Sequence, residues 1–191
     1  MKNIKPFNFE KQKDFDNHIN LSIPNYSGLD QVFSHIAKEF SQPGSTTVDL
    51  GCSTGRFLHN LLKIDDCEYV GIDKVDIKSF DGFTHIIGDC DDELKKLTDV
   101  GVIISMFFLQ FLGNKERKKI IQTIKKHIDG GAILLVAEKV YINDTRIQTL
   151  LHRMHVQAKR ENFSDKEILD KDNQLSISMF SHSFSTFPSS S

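Results

Sequence analysis

Five apolar runs of strand length lie between residues 46 and 139 of the chain. Each run is continuously apolar rather than alternating, which is typical of strands buried on both faces of a parallel sheet. Four of the five carry an acidic residue at or near one end. The pattern predicts strands in the segments TTVDLG (46–51), EYVGID (68–73), THIIGD (84–89), DVGVIISMF (99–107) and AILLVAEK (132–139).

Helical patterns separate and flank these strands. Ser53 and Thr54, both good helix caps, precede one of them. The segment 74–83, between the second and third strands, contains no long helix. The alternation predicts an α/β fold that is Rossmann-like and doubly wound, with a mostly parallel sheet and N-terminal helices. The predicted helices are 28–40, 55–64, 114–128, 144–161 and a shorter one from Ser164 to about Asp170.

Three of these helices carry an apolar stripe that requires a partner surface. Opposite the stripe of 114–128, the basic cluster KERKK (115–119) is interpreted as a solvated face, with RNA contact as the minor alternative. The stripes consist of Leu29, Val32, Phe33, Ile36 and Phe40, then Ile120, Ile121, Ile124 and Ile128, then Ile147, Leu150, Leu151, Met154 and Ala158.

The length of 191 residues and the composition predict one domain over residues 1–175. Residues 176–191 contain eight serines and are expected to form a poorly ordered tail. Three cysteines without CxxC spacing argue against a disulfide framework or a zinc site and favour the reducing cytoplasm. The N-terminus is too polar for a signal peptide, and no apolar run has the length of a membrane span. The net charge of −2 does not indicate direct nucleic-acid binding.

The loop DLGCSTG follows the first strand, at the position where doubly wound sheets bind ligands. Gly51 and Gly55 are expected to let the backbone approach a ligand closely. Their spacing reads GxxxG rather than the GxGxxG of a dinucleotide fingerprint. A pyrophosphate would therefore fit this loop less well than a ligand without one.

Acidic residues mark the same edge of the predicted sheet. Asp73 ends the second strand, where a carboxylate can accept both hydroxyls of an adenosine ribose. Asp89 ends the third strand, near the expected adenine amino group, and Asp49 lies in the first strand just below the glycine loop. Such an acid-rich rim attracts a cation and repels a polyphosphate. The predicted small-molecule ligand is S-adenosyl-L-methionine, which has a sulfonium cation, a ribose and an adenine but no phosphate.

The chain resembles class I S-adenosylmethionine-dependent methyltransferases and, more narrowly, the carboxy-S-adenosyl-L-methionine synthase family. The resemblance covers roughly residues 7–175 and includes FNFE, SIPNYSGL, DLGCSTG, GID, GDC, LQFL, GGAILLVAEK and LLHRMHVQAKRENFSDKEI. It implies a homodimer with contacts in helix 144–161. The alternative is that the apolar stripe of this helix packs on the sheet of its own chain. It implies ligand contacts by Tyr26, Gly51, Cys52, Ser53, Asp73, Lys74, Asp89 and Cys90. For Tyr26, a turn tyrosine packed on the first helix is the simpler interpretation.

The chain has no counterpart of the family's final strands, so the resemblance implies a truncated C-terminal end. The chain also departs from the family pattern at two positions. Met106 stands where the family has an asparagine, and Asp172 stands where the family has an arginine that holds the extra carboxylate of carboxy-S-adenosyl-L-methionine. An arginine fork suits a carboxylate, whereas an aspartate repels it. Lys171, next to Asp172, is a less directional substitute.

The leading hypothesis is a transferase that acts on bound S-adenosylmethionine, with S-adenosylhomocysteine as the product of methyl transfer. The alternatives are carboxy-S-adenosyl-L-methionine synthase, which uses prephenate in tRNA wobble-uridine modification, and a non-catalytic binder of an adenosyl ligand. No catalytic residue is assigned, because positioning is the main requirement of methyl transfer. His152 and His155 lack further ligands for zinc, and Glu138 with Lys139 is interpreted as an ion pair at a strand end.

Overall fold

The computed structural model of the protein describes residues 15–180 and 182–183, so the FNFE motif lies outside the described residues. A short 3-10 helix (Leu109–Phe111) follows the fourth strand. The other elements, in chain order, are α1 (Phe15–Ser22), α2 (Tyr26–Phe40), β1 (Thr46–Leu50), α3 (Arg56–Asn60), β2 (Glu68–Asp73), β3 (Thr84–Ile87), α4 (Cys90–Leu94), β4 (Val100–Met106), α5 (Asn114–Asp129), β5 (Ile133–Ala137), β6 (Val140–Tyr141), α6 (Thr145–Lys159), α7 (Asp165–Ser178) and β7 (His182–Ser183).

Strands β1 to β5 form one sheet in the order β3-β2-β1-β4-β5. All four neighbouring pairs are parallel. The strand order reverses at β1, so the loops that follow β1 and β4 diverge and leave a crevice at the carboxyl edge. The predicted Rossmann-like, doubly wound α/β fold is confirmed, and the segment 74–83 contains no helix, as expected.

Each face of the sheet buries its own hydrophobic cluster. Successive residues of a strand point to opposite faces, so Ile103 belongs to one cluster and Ile104 to the other. The first cluster includes Leu94 of α4 and Ile120 of α5, and the second includes Leu58 of α3. Helices therefore cover both faces, and β1 between them is buried along its whole length.

The start of α3 differs from the prediction. The N-cap of this helix is Gly55, whose φ is 82°, and neither Ser53 nor Thr54 caps it. Thr54 instead donates its hydroxyl hydrogen bond to Asp16 Oδ1, at 3.0 Å. The left-handed backbone at Gly55, which glycine adopts readily, turns the preceding hydroxyl side chains away from the helix amides.

The apolar stripes are buried to different degrees. In α2, Phe33 is buried, whereas Val32 and Phe40 are 54% and 52% exposed, so only part of the predicted stripe is buried. The stripe of α6 is also largely exposed and does not cover the sheet of its own chain. Its exposed members are Ile147, Leu150, Leu151 and Met154.

The basic cluster of α5 is only partly the solvated face that the sequence predicted. Arg117 is buried, whereas Lys115, Lys118 and Lys119 are exposed. The Arg117 guanidinium donates to the carbonyl oxygens of Leu109 (2.9 Å), Leu112 (2.7 Å) and Phe180 (3.2 Å). A guanidinium has five N–H donors, so one side chain can join three separate backbone segments.

The C-terminal part of the described chain is more regular than the sequence suggested. Helix α7 begins at the predicted Ser164 cap, where Ser164 and Glu167 form a reciprocal capping box, but it continues to Ser178 instead of ending near Asp170. Strand β7 then pairs in parallel with β6. Residues 181 and 184–191 of the predicted tail lie outside the described residues. None of the described helices combines the length and the hydrophobicity of a bilayer span.

Replacing Arg117 by Gln is expected to lower the free energy of unfolding by about 2 to 3 kcal/mol, because three backbone carbonyls lose a charged donor. Urea denaturation followed by circular dichroism measures this change. Lys118→Gln is the matched control, since it removes an exposed charge from the neighbouring position and should change stability by less than about 0.5 kcal/mol. Equal stability of the two variants would contradict the structural role of Arg117.

Candidate functional site

A cavity of about 980 Å³ opens at the carboxyl ends of the central strands. It is lined by residues of the β1 and β4 loops, by the first helices and by α6 and α7. This volume lies within the range of small-molecule sites. Most of the predicted site residues lie in its wall, namely Tyr26, Asp49, Gly51, Cys52, Ser53, Asp73, Lys74 and Met106.

Asp73, at the end of β2, ties the loops after β1 and β2 together. Its Oδ2 accepts a hydrogen bond from the backbone N–H of Ser53 at 2.9 Å, and its Oδ1 accepts one from Val75 N–H at 3.0 Å. An ionised carboxylate has about four acceptor positions. Asp73 therefore keeps capacity to accept further hydrogen bonds from a ligand in the cavity.

The two glycines of the loop make room for aromatic side chains. A Cβ at Gly51 would lie 2.4 Å from the Phe108 ring, and one at Gly55 would lie 2.1 Å from the Phe83 ring. Both glycines have positive φ, at 72° and 82°. Protein side chains fill the space at these two Cβ positions, so a close approach of a ligand to the loop backbone stays a prediction. Gly55 lies behind the loop and outside the cavity wall.

Asp49 lies in the floor of the cavity and is almost fully buried. Burial, together with the nearby carboxylates of Asp73 and Asp30, raises the pKa of Asp49 well above its ordinary value. Arg56 opposes this shift. A cation bound above Asp49 would favour its ionised form, so the floor is suited to a positively charged ligand group.

Asp89 and Cys90 lie beside the main cavity, in the wall of a smaller one of about 90 Å³ that shares Lys74 and Phe108 with it. Asp89 is the N-cap of α4 and forms an ion pair with Lys74 at 2.8 Å. That hydrogen bond lowers the pKa of Asp89. Burial raises the pKa of the Cys90 thiol to about 12, so the thiol stays protonated near neutral pH.

Tyr26 begins α2 and is buried, with its ring in the cavity wall. The guanidinium of Arg56 lies over this ring, 5.1 Å from the centroid, and pairs with Asp30 at 2.6 Å and Asp16 at 3.2 Å. Burial raises the pKa of Tyr26 to about 12. Sequence reasoning missed Arg56 because its two acidic partners lie on separate helices, 26 and 40 positions away in the chain.

A loop after β4 forms another part of the wall. Met106 and Phe107 lie there, and Phe107 has a left-handed φ of 56°. Glu138 holds the loop, since its carboxylate accepts hydrogen bonds from Leu109 N–H (2.7 Å) and Gln110 N–H (3.0 Å). Burial raises the pKa of Glu138 to about 7. The predicted Glu138–Lys139 ion pair was wrong, because the backbone amides occupy the carboxylate and Lys139 extends into the cavity wall.

The far side of the cavity is rich in cations. Lys139, Lys159 and Lys171 line it together with His155 and Asp172. Lys159 is only 7% exposed. Burial and the neighbouring lysines lower the pKa of His155 to about 4, so this imidazole is neutral near physiological pH. The cavity thus carries acids next to β1 and β2 and lysines next to α6 and α7.

Helix α6 also brings His152 and His155 to the cavity, but they form no metal cluster within the described residues. Among the described residues, the one group with metal-ligand spacing consists of Asp89, Asp91 and Asp92. Asp91 already accepts hydrogen bonds from Thr123 Oγ1 and Lys95 Nζ, and Asp89 caps α4. The acids therefore have structural partners.

Comparison with known proteins identifies similar chains. No protein-family model matches. Carboxy-S-adenosyl-L-methionine synthase of Idiomarina loihiensis is 33% identical over 185 residues, which cover 88% of this chain and 76% of that protein. The synthase of Shigella boydii is 30% identical over 192 residues, which cover 90% and 75%. Among solved structures, the SAH-bound form of CalO1, a methyltransferase in calicheamicin biosynthesis, is 16% identical, with a TM-score of 0.48 and coverage of 90% of this chain and 50% of that one.

The two sequence relatives match 88% and 90% of this chain. Their identity is about one residue in three over three quarters of their own length. By this identity and coverage, the chain belongs to the carboxy-S-adenosyl-L-methionine synthase family of class I S-adenosylmethionine-dependent methyltransferase-fold proteins.

Proposed function

We propose that the protein binds S-adenosyl-L-methionine in the large cavity and acts on it as a transferase. The observation that carries the proposal is the position of Asp73, whose carboxylate lies in the cavity wall at the end of β2. In doubly wound sheets a carboxylate at this point binds ribose hydroxyls. Asp73 has acceptor capacity beyond its bonds to Ser53 and Val75.

The charges of the cavity support an orientation of the ligand. The ribose lies at Asp73, and the adenine lies toward Lys74, Asp89 and Cys90. The sulfonium then lies above Asp49, where a cation relieves the cost of a buried carboxylate. Tyr26, held by Arg56, covers the methionine end.

Bound S-adenosylmethionine supplies an electrophilic methyl group on a positively charged sulfur. The contribution of the chain is to fix the ligand and to exclude water from the cavity. Tyr26, Phe107 and Met106 provide an apolar wall for this purpose. No general acid or base is required for the transfer itself, so no side chain is assigned that role.

The first prediction for this site concerns Asp73. Asp73→Ala should weaken S-adenosylmethionine binding by about 2 kcal/mol or more, because two charge-assisted hydrogen bonds to the ribose are lost. Isothermal titration calorimetry on the folded variant measures the change.

Asp76→Ala is the matched control for Asp73→Ala. Asp76 lies three residues further along the same loop, its side chain is 70% exposed, and it does not line the cavity. This variant should bind as the wild type does. Unchanged affinity in Asp73→Ala, with its unfolding transition intact, would rule out the ribose assignment.

Carboxy-S-adenosyl-L-methionine synthesis is the second candidate function. It is favoured by the names of the relatives and by the lysines at the far side of the cavity. The family resemblance then implies prephenate as second substrate and a role in tRNA wobble-uridine modification. Asp172 opposes this candidate, because it lies among the lysines and offsets part of their charge.

The second prediction concerns Asp172. The wild type should bind carboxy-S-adenosyl-L-methionine no better than S-adenosylmethionine, since Asp172 repels an added carboxylate. Asp172→Arg should shift the ratio of affinities toward the carboxylated ligand by roughly tenfold, because a repulsion is replaced by a fork of donors. Competition binding with both ligands measures the ratio. Tight selectivity of the wild type for the carboxylated ligand would favour the synthase instead.

Product analysis separates the three possible functions. Mass spectrometry after incubation with S-adenosylmethionine and prephenate distinguishes S-adenosylhomocysteine from a carboxylated sulfonium. An unchanged ligand supports a third function, non-catalytic binding of an adenosyl compound. The three cysteines of the chain are free, which fits the cytoplasmic location that belongs to this proposal.

We also infer a homodimer, because the exposed apolar stripe of α6 requires a cover. Leu151 belongs both to this stripe and to the cavity wall, so a second copy would lie next to the site. Light scattering should give twice the chain mass of 21.8 kDa. Leu150→Glu should yield the monomer, whereas Arg153→Gln, an exposed position of α6 that lies off the apolar stripe, should leave the dimer intact. A monomeric wild type at high concentration would contradict the dimer.

A further inference from the structure

One amine in the cavity wall has surroundings that its role in ligand binding does not explain. Lys171 of α7 is partly buried and lines the cavity. Its Nζ contacts Nε2 of His18 and donates to Ser22 Oγ at 3.1 Å, both on α1. His18 is fixed in turn by Phe163, whose ring lies 5.2 Å away in an edge contact. Two side chains of α1 therefore hold the amine, and Phe163 fixes one of them.

The charges around Lys171 disfavour its ammonium form. Lys159 is the principal like charge, and it is itself buried. A desolvated lysine next to a second cation is the arrangement that makes an amine nucleophilic near neutral pH. The titratable and charged groups around this part of the cavity are His18 and Asp16 of α1, Lys139, His152, His155 and Lys159 of the α6 region, and Asp172 of α7, with Glu167 beside His18.

We propose that Lys171 is a nucleophilic amine that forms an imine with an aldehyde or ketone bound in the cavity. The nitrogen lone pair attacks the carbonyl carbon, and a proton moves from nitrogen to the carbonyl oxygen. His18 returns the proton that it took from the ammonium to this hydroxyl, the nitrogen lone pair forms the carbon–nitrogen double bond, and the carbon–oxygen bond breaks to release water. Counted from the ammonium, one carbonyl compound gives one protonated imine and one water, with no change of charge and no oxidant or reductant.

His18 is placed to move the proton in these steps. Burial and the charges of Lys171 and Lys159 lower the pKa of His18, so its imidazole is neutral and Nε2 can accept a proton from the amine. The hydroxyl of Ser22 accepts a second hydrogen bond and fixes the direction of the nitrogen. This proton transfer accounts for the contact between a lysine and a histidine, two side chains that would otherwise repel when both are charged.

The lining of the cavity defines the class of carbonyl compound. Lys159 and Lys139 line the same cavity as the amine, and their side chains attract a negative group on the same molecule. Leu151, Leu175 and Met179 supply an apolar surface for its carbon skeleton. The ligand is therefore a carbonyl compound that also carries a carboxylate or a similar anion.

The pKa of Lys171 predicts how imine formation depends on pH. Burial, with the charge of Lys159, lowers the pKa of Lys171 to about 8. Near neutral pH, its unprotonated fraction is on the order of a hundredfold greater than that of an ordinary lysine. Imine formation at Lys171 should therefore set in at lower pH than at exposed lysines of the chain.

Reductive trapping tests the proposal on the full chain. The protein is incubated with pyruvate and sodium cyanoborohydride near neutral pH, and the reduced adducts are mapped by peptide mass spectrometry. Lys171 should be labelled about tenfold faster or more than Lys166, an exposed lysine of the same helix that serves as an internal standard. Acetone, which has the carbonyl but no carboxylate, should label Lys171 more slowly.

Variants separate the amine from its surroundings. Lys171→Arg should abolish the fast adduct, and Lys166→Arg should leave it unchanged. Lys159→Met should slow labelling of Lys171 near neutral pH and shift its onset to higher pH, because the like charge is removed. Adducts distributed over exposed lysines, with Lys171 no faster than Lys166, would overturn the proposal without any variant. Equal labelling of Lys171 by acetone would overturn the inference that the carbonyl compound carries an anionic group. The affinity for S-adenosylhomocysteine is measured in parallel. It tests the adenosyl site independently, so a failure of the Lys171 proposal is distinguished from a failure of the proposed function.

Discussion

Complete burial of β1 on both faces is the constraint on which the rest of the structure depends. All five residues of this strand are buried, and each face packs against helices. Polar groups can therefore reach a ligand only at the end of the strand, where the chain leaves the sheet. The parallel neighbours β2 and β4 end at the same edge of the sheet. Asp73 and Met106 therefore lie beside the β1 loop, although they are far apart in the sequence.

The loop after β1 is stabilised by its neighbours rather than by its own sequence. Asp73 accepts the amide of Ser53, and the missing Cβ atoms at Gly51 and Gly55 leave room for Phe108 and Phe83. The glycines thus permit close packing of aromatic rings as well as positive φ. Phe108 also lines the cavity, so this packing forms part of the cavity wall.

The cavity divides into two electrostatic regions. Asp49 and Asp73 lie on the side that our proposal assigns to the sulfonium and the ribose, while Lys159 and Lys171 lie on the side assigned to an anion. Asp172 lies among the lysines and reduces their net charge. This division of charge is consistent with the proposed transfer between S-adenosylmethionine and an anionic partner. The exposed stripe of α6 borders the cationic side, so the proposed dimer contact lies next to the proposed ligand site.

The periodicity of the chain alone determined the five strands, the order of strands and helices and the edge at which Asp73 lies. A strand that is buried on both faces requires apolar residues at successive positions, and such a run is visible in the sequence. It did not determine where charged residues end up when their partners are distant. Arg117 was interpreted as solvated and is buried against three carbonyls, and Arg56 gave no signal although it pairs with two acids on other helices. The sequence does not distinguish a charged residue that is solvated from one that is buried and paired. Only the tertiary structure brought Lys159, Lys171 and His18 into one cavity, because their burial depends on contacts among three helices that no local pattern encodes.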